Sequence, residues 1–306
     1  MKFFIIGGTG FVGMALINYL LGEGHEVTLL ARGPVKNENL PKDTAIVYGN
    51  PLERGAWQEV AVLKDVIINL AGQPIMTRWT REARSNIMES RVRSTRMAVE
   101  AMAQGAANLT LINANAVGYY GGGGLDRIFT EESSPGEDFL AKVCIKWQEE
   151  AEAALEKGAR VVIARFGAVL GVGGGILGQM IPVFKLGIGG RLGGGNQWFS
   201  WLHIHDLCRA VLFAAQNKDI SGVVNMTSPN PVTNKEFTKI LADILGRPAI
   251  LPVPGFVLRL AIGGAADLAL KGQRVIPAVL EKAGFGFDFP TVDRALSDIL
   301  DKWTFE

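Results

Sequence analysis

Close to the start of the chain, Gly7-Gly8-Thr9-Gly10-Phe11-Val12-Gly13 follows a short apolar run, Phe3 to Ile6, and passes into an amphipathic stretch. Residues of these types at this spacing do phosphate chemistry. Gly7 lets the chain turn sharply off a strand, Gly10 lets backbone N–H groups approach a pyrophosphate, and Gly13 lets helix and strand pack closely. The positive end of the helix that begins there faces the phosphates. A second apolar run, Val27 to Leu30, stops at Arg32. An NAD site of this kind places Asp or Glu about 20 residues after the glycines, for the ribose 2′-hydroxyl. Arg32, followed by Lys36, suits a 2′-phosphate dianion instead and offers nothing special to a neutral hydroxyl. The residues therefore favour NADP(H) over NAD(H), with a solvated loop arginine as the alternative.

The elements that must position these groups are legible as alternation. Apolar runs at Lys2–Ile6, Glu26–Leu30, Ala45–Val47, Val66–Leu70, Leu109–Asn113 and Arg160–Arg165 read as strands. Helical stretches at Val12–Leu21, Arg54–Leu63, Arg81–Met102 and Leu140–Glu156 separate most of them. This is the pattern of an α/β fold, a Rossmann-type doubly wound parallel sheet whose ligand crevice lies outside the strand C-termini. From Gly167 to Gly195 the chain is glycine-rich with almost no charge, yet too apolar for a solvated linker, and a mobile flap over a pocket is expected. Trp201 to Gln216 reads as a loop entering a helix, and Gly222–Met226 as another buried strand. Helical patterns at Lys235–Leu245 and Val257–Leu270 follow, and Thr291 is placed to cap a final helix. The expected organisation is a nucleotide-binding domain over 1–170 and 202–228, with a small discontinuous C-terminal substrate lobe over 171–201 and 229–306.

Composition narrows the function classes. With 306 residues the chain can bury a large core. Lys plus Arg total 31 against 30 for Asp plus Glu, a balance that invites neither nucleic acid nor an anionic membrane. Cys144 and Cys208 suggest neither a disulfide framework nor, with His25, His203 and His205, a metal site. The glycines from Gly7 to Gly13 interrupt any signal-peptide core. The most apolar long segment, Ile250 to Leu270, contains Pro252, Pro254, Arg259 and Asp267, which argues against a membrane span. A cytoplasmic protein (or one of an organelle matrix after processing) with a small-molecule partner is the expectation.

The motifs GGTGFVG, NLAG at Asn69–Gly72, AVGYYG at Ala116–Gly121, RFGAVLG at Arg165–Gly171 and WLHIHD at Trp201–Asp206 resemble the extended short-chain dehydrogenase/reductase superfamily. With NQWFSWLHIHD, FLAKVCIKW and the GFGFDFP tail, the chain is similar to that superfamily's "epimerase family" subgroup, associated with nucleotide sugars and ending in a small C-terminal domain. The resemblance implies that Gly7, Thr9, Gly10, Phe11 and Val12 line the pyrophosphate, with Arg32 at the adenosine ribose. It puts Asn50 and Pro51 at the adenine and Asn69, Leu70, Ala71 and Gly72 beneath the nicotinamide ribose. It leaves a homodimer through paired helices open.

The resemblance also implies a catalytic Tyr with a Lys four residues later, the cation lowering the phenol pKa for general base catalysis. At that place the chain reads Phe139-Leu140-Ala141-Lys142-Val143, so Phe139 and Val143 stand instead, and Asn113 and Asn115 replace the usual serine region. Three explanations compete. Tyr119 or Tyr120 takes over as acid or base with Asn115 orienting the substrate; aromatic packing is the rival reading. His203 or His205 supplies a group titrating near neutrality, against a structural role. Or the protein binds NADP(H) without turnover, as a regulator or redox sensor. Arg165 is placed to reach the cofactor or to form an ion pair beneath the sheet, and Arg91 to face the crevice or, as the favoured reading, to make a structural pairing. Gln197, Trp198 and Trp201 offer an aromatic wall for a substrate ring, or core packing. The leading expectation is an oxidoreductase or epimerase-like enzyme using hydride exchange on a small polar substrate.

Overall fold

The computed structural model describes residues 1–35, 40–102, 108–122, 124–249 and 251–303, so Lys36 and Ile250 lie outside the described residues. Seven parallel strands form the central sheet: β1 (Lys2–Ile6), β2 (Glu26–Ala31), β3 (Ala45–Tyr48), β4 (Val66–Asn69), β5 (Thr110–Ala116), β7 (Arg160–Phe166) and β11 (Gly222–Met226). Their order is β11-β7-β5-β4-β1-β2-β3, so the chain starts in the middle and winds outward both ways. Phe3 and Ile5 join one apolar cluster and Phe4 and Ile6 another, because successive strand side chains point to opposite faces. Helices α1 (Phe11–Gly22) and α6 (Ile204–Gln216) cover the first face. Helices α2 (Trp57–Ala61), α3 (Arg81–Met102) and α4 (Phe139–Glu152) cover the second. A strand buried on both faces reads as an unbroken apolar run, which is why β1 matches its sequence boundaries.

Helices α5 (Gly175–Lys185), α7 (Asn234–Leu245), α8 (Gly255–Ile262), α9 (Ala266–Leu270) and α11 (Val292–Asp301) build the second lobe, whereas α10 (Ala278–Lys282) packs on the first face of the sheet through Leu280. Three short strand pairs lie outside the central sheet. β8 (Ala168–Leu170) pairs with β10 (Trp201–His203), β9 (Trp198–Phe199) with β12 (Val232–Thr233), and β6 (Ile128–Phe129) with β13 (Arg274–Val275). The lobe has its own core, in which Leu177, Ile181 and Phe184 of α5 meet Phe237 and Leu241 of α7 and Leu296 and Ile299 of α11. The expected flap is therefore partly a helix with a packed face.

Buried polar side chains fasten the tail. Asp206, fully buried in the first turn of α6, accepts backbone N–H bonds from Asp288 (3.0 Å) and Phe289 (2.9 Å), and Arg209 donates to it at 3.2 Å. Ser200 Oγ donates to Gln273 O at 2.7 Å and accepts from Val275 N at 2.9 Å. Glu131 accepts from both Asn225 N and Val279 N, and Asn225 Nδ2 donates to Ile276 O. Removing an acceptor from such a place strands its donors in a dry interior. Asp206→Ala should therefore cost about 3 kcal/mol of unfolding free energy in urea titrations, and Asp206→Asn should recover part of it. A loss below about 1 kcal/mol would show that the clamp does not hold the tail.

Candidate functional site

The first wall of the crevice is the β1–α1 turn. Gly7 has φ +81, and a Cβ there would lie 2.8 Å from Ala71 N and Leu70 C, so the turn lies directly on the segment after β4. A Cβ at Gly13 would collide with the backbone of Gly7 and Gly8. Both positions need glycine. Gly10 differs, because a Cβ there would meet only Gly7 O, at 3.5 Å. Gly10 is also the N-cap of α1, contributes no capping side chain, and is followed by a first turn without acidic residues. The first N–H groups of the helix thus face open space. Phe11 turns its ring away, against Gly171, Gly174 and Gly175, where any Cβ would come within about 3 Å of it. That contact accounts for part of the glycine-rich stretch after β8.

The second wall is the end of β4. Asn69 is fully buried; its Nδ2 donates to Thr95 Oγ1 and Asn113 Oδ1, both at 2.9 Å, and its Oδ1 accepts from Ala71 N at 3.2 Å. Trp147 Nε1 donates to the same Thr95 at 2.8 Å. This network ties β4, β5, α3 and α4 together and shapes the backbone of Leu70, Ala71 and Gly72. Arg32 stands exposed after β2, with no hydrogen bond or ion pair among the described residues. Asn50 Oδ1 accepts from Leu52 N at 3.1 Å, a tight turn that includes Pro51.

The third wall holds the groups nominated for chemistry. Asn115 is buried, donating to Cys144 O at 3.0 Å and accepting from Ala116 N, so its amide joins β5 to α4. Tyr120 is buried, donating to Asn225 Oδ1 at 2.7 Å and accepting from Arg165 Nη1 at 2.9 Å. Burial raises its pKa above the ordinary value, against the pull of Arg165. Tyr119 is half-buried, with the Arg165 guanidinium 3.4 Å from its ring centre, and no hydrogen bond engages its hydroxyl among the described residues. Arg165 is 1% exposed and also donates to Gln148 Oε1 at 2.8 Å. It forms no ion pair among the described residues, so the expected salt bridge beneath the sheet is replaced by aromatic stacking and neutral acceptors.

Phe139 opens α4 behind the Asp138 cap, its ring edge-on to Trp79 at 5.1 Å and 5.2 Å from the Arg84 guanidinium. Val143 is buried, and Lys146 is paired with Glu149. A cation does reach this wall, from α3. Arg91 lies against Gly72, where a Cβ would be 2.9 Å from its Cζ, and over the Trp147 ring at 5.2 Å. It donates to Ile87 O at 3.0 Å, no carboxylate pairs with it among the described residues, and burial lowers its pKa. The sequence favoured a structural pairing for Arg91 over a place facing the crevice. Its place at Gly72 depends on the meeting of two distant segments, and nothing in the local sequence signals that.

The remaining candidates lie elsewhere. Gln197 Nε2 donates to Leu192 O and Ala269 O, at 2.9 and 2.8 Å, and lines a cavity of about 300 Å³ with Trp198 and Lys271. Trp201 is fully buried and donates to Asn230 O. His203 caps α6, accepting from His205 N, and its ring stacks on Phe289 at 4.0 Å. It borders a cavity of about 590 Å³ between α1, α6 and α11, lined also by Thr9, Gly10 and Phe11 and by Val172 and Gly173. No three metal-binding side chains come together among the described residues.

A doubly wound sheet with an uncapped glycine turn at its C-terminal edge defines a dinucleotide-binding α/β protein. The chain belongs to the NAD dependent epimerase/dehydratase family, whose model matches residues 3–226. A domain of unknown function (DUF1731) matches residues 253–299. The chloroplastic epimerase family protein SDR39U1 homolog of Arabidopsis thaliana is 39% identical over 302 residues, covering 97% of this chain and 86% of the relative. The epimerase family protein YfhF of Bacillus subtilis is 38% identical, with 98% of each chain covered. Among solved structures, human epimerase family protein SDR39U1 (isoform 2) with NADPH superposes with a TM-score of 0.86 at 31% identity, covering 98% of this chain and 99% of that one. A Thermus thermophilus UDP-glucose 4-epimerase bound to NAD has a TM-score of 0.82 at 18% identity, with 98% of each chain covered, and shares the fold.

One site-adjacent group makes stability depend on pH. Burial pushes the His203 imidazole from 6.5 down to about 4, against the weaker pull of Asp298 and Asp206. The unfolded ring binds its proton near 6.5 and the folded one only near 4. Stability is therefore full above about pH 6.5 and falls by about 3 kcal/mol as pH drops to about 4. Urea titrations over that window should show this slope in the native protein and a shallower one in His203→Gln. Equal slopes would clear His203 of the effect.

Proposed function

We propose that this protein binds NADP(H) across the C-terminal edge of the sheet and acts as an epimerase-like oxidoreductase on a small polar substrate, with a nucleotide sugar as the family-level candidate. The observation that carries the reading is the conjunction of an open, uncapped α1 terminus at Gly10 with an exposed, unpaired Arg32 at the end of the next strand. The crystal structure of the human relative with NADPH supports it. In this reading Gly7, Thr9, Gly10, Phe11 and Val12 hold the pyrophosphate through backbone N–H groups, and Arg32 takes the 2′-phosphate. Asn50 and Pro51 border the adenine. Asn69 holds the backbone of Leu70, Ala71 and Gly72 beneath the second ribose, and Arg91 adds a positive charge beside Gly72.

When bound, the cofactor supplies hydride transfer to or from a carbon of the substrate. The protein supplies position and a proton. Tyr119 is the nominated acid–base, because its hydroxyl is uncommitted while that of Tyr120 is held between Asn225 and Arg165. The Arg165 guanidinium lies 3.4 Å from the Tyr119 ring centre and is the cation nearest this phenol on the wall where the usual lysine is missing. Asn115 holds the loop on α4. Residues 171–201 and 229–306 form the substrate side, with Gln197, Trp201 and His203 as its framework.

A second reading is a catalytically silent NADP(H)-binding regulator, favoured by Phe139 and Val143 at the positions of the usual Tyr and Lys. Fluorescence titration should give tighter binding of NADPH than NADH, and Arg32→Ala should weaken NADPH by about tenfold or more with little effect on NADH. Equal affinities would remove the Arg32 assignment. Isotope loss from hydride-labelled NADPH, across carbonyl compounds and nucleotide sugars, separates enzyme from regulator. If turnover occurs, Tyr119→Phe should lower it about a hundredfold or more at unchanged NADPH affinity. Undiminished turnover in that variant would acquit Tyr119.

A further inference from the structure

The second lobe carries a patch of exposed apolar side chains. Leu260, Leu186, Phe256 and Leu251 are four of the five most exposed large apolar side chains among the described residues, at 79, 75, 72 and 64%. Val257 and Ile188 are exposed with them. These residues belong to two segments that lie side by side. Leu192 bridges to Val253, Val253 N donates to Arg191 O, and Gly190 abuts the Leu251 carbonyl. On α8, Phe256 and Leu260 are one turn apart and so share a face. Apolar surface gathered this way on a soluble fold marks an interaction site.

Charge identifies what covers it. Residues 171–202 contain Lys185 and Arg191 and no carboxylate; residues 244–266 contain Arg247 and Arg259 and no carboxylate. Arg191, Arg247 and Arg259 are exposed, Arg259 in an ion pair with Asp267 beyond the segment. A net charge of +1 for the whole chain conceals this local imbalance. A second copy of the chain docking through a two-fold axis would bring these cations against themselves. An aromatic and aliphatic face on a short helix, rimmed by arginines of which Arg259 is paired with Asp267, matches the boundary between lipid headgroups and acyl chains.

We infer that this face docks on an anionic lipid surface, with Phe256 and Leu260 entering the acyl boundary and Arg191, Arg247 and Arg259 meeting the headgroup phosphates. Flotation with vesicles tests it, comparing phosphatidylcholine alone with phosphatidylcholine mixed with phosphatidylglycerol. The native protein should float with the acidic vesicles and stay behind with the neutral ones. Phe256→Glu/Leu260→Glu should abolish flotation, and Arg191→Gln/Arg247→Gln should weaken partitioning by about tenfold or more. Circular dichroism checks that the variants fold, and the arginine pair serves alone if the glutamate pair does not. Absence of flotation, flotation indifferent to lipid charge, or flotation unchanged in the variants would each overturn the assignment. So would a lipid-free dimer in sedimentation velocity that the glutamate pair dissociates, which would give the face to a second copy.

Discussion

The close contact of backbone with backbone at the first turn is the constraint on which the site depends. Gly13 rests on Gly7 and Gly8, and Gly7 rests on Leu70 and Ala71, with no space for a methyl group at either contact. These contacts set where α1 begins and in which direction its free N–H groups point. They also bring the end of β4 to the same place. A helix displaced by the width of one methyl group would aim its positive end past a bound phosphate. The specificity of the turn therefore comes from what is missing from three residues.

The second organising feature is polar. The sheet's C-terminal edge is held by buried side chains whose hydrogen bonds go to backbone or to each other: Asn69 with Asn113 and Thr95, Asn115 with Cys144, and Asp206 with Asp288 and Phe289. Apolar packing is tolerant of small shifts, whereas a buried hydrogen bond has a direction. Using such bonds where strands end gives the crevice fixed walls. The same device ties the tail, through Asp206, Ser200 and Asn225, onto the dinucleotide-binding sheet. The second lobe is thereby part of the crevice's support.

Much of this was legible in the sequence. The inner strands of the sheet were visible because both faces are buried and their apolar runs are unbroken; β1 agrees at both ends, and β2 extends one residue further, to Ala31. The helix expected over Arg54–Leu63 shrinks to Trp57–Ala61, because Trp57 Nε1 turns back to Glu53 O and Gln58 accepts from Gly55 N. The single helix expected over Val257–Leu270 breaks at Gly263, where φ is +60, and becomes α8 and α9. Thr291 does stand at the N-cap of α11, without a capping side-chain bond. Periodicity records which face is apolar but cannot register a change of axis. In the site, the glycine turn and Arg32 were legible because their spacing is local. The meeting of Arg91 with Gly72, and of Arg165 with two tyrosines, joins segments far apart in the chain and was not.

Those two arginines set the electrostatic character of the crevice. Arg165 is buried and Arg91 half-buried, and neither has a carboxylate among the described residues. A buried cation ordinarily requires an anion, since its desolvation costs several kcal/mol. Here the compensation is of another kind: phenol and amide oxygens plus two ring faces for Arg165, and a backbone carbonyl plus the Trp147 ring for Arg91. Ring faces and neutral acceptors stabilise a guanidinium without cancelling its charge. The crevice therefore keeps a positive potential along the wall where the superfamily resemblance would place a single lysine. Phe139 removes the usual proton acceptor from that wall, and the phenol that stands against a guanidinium is, one loop away, Tyr119.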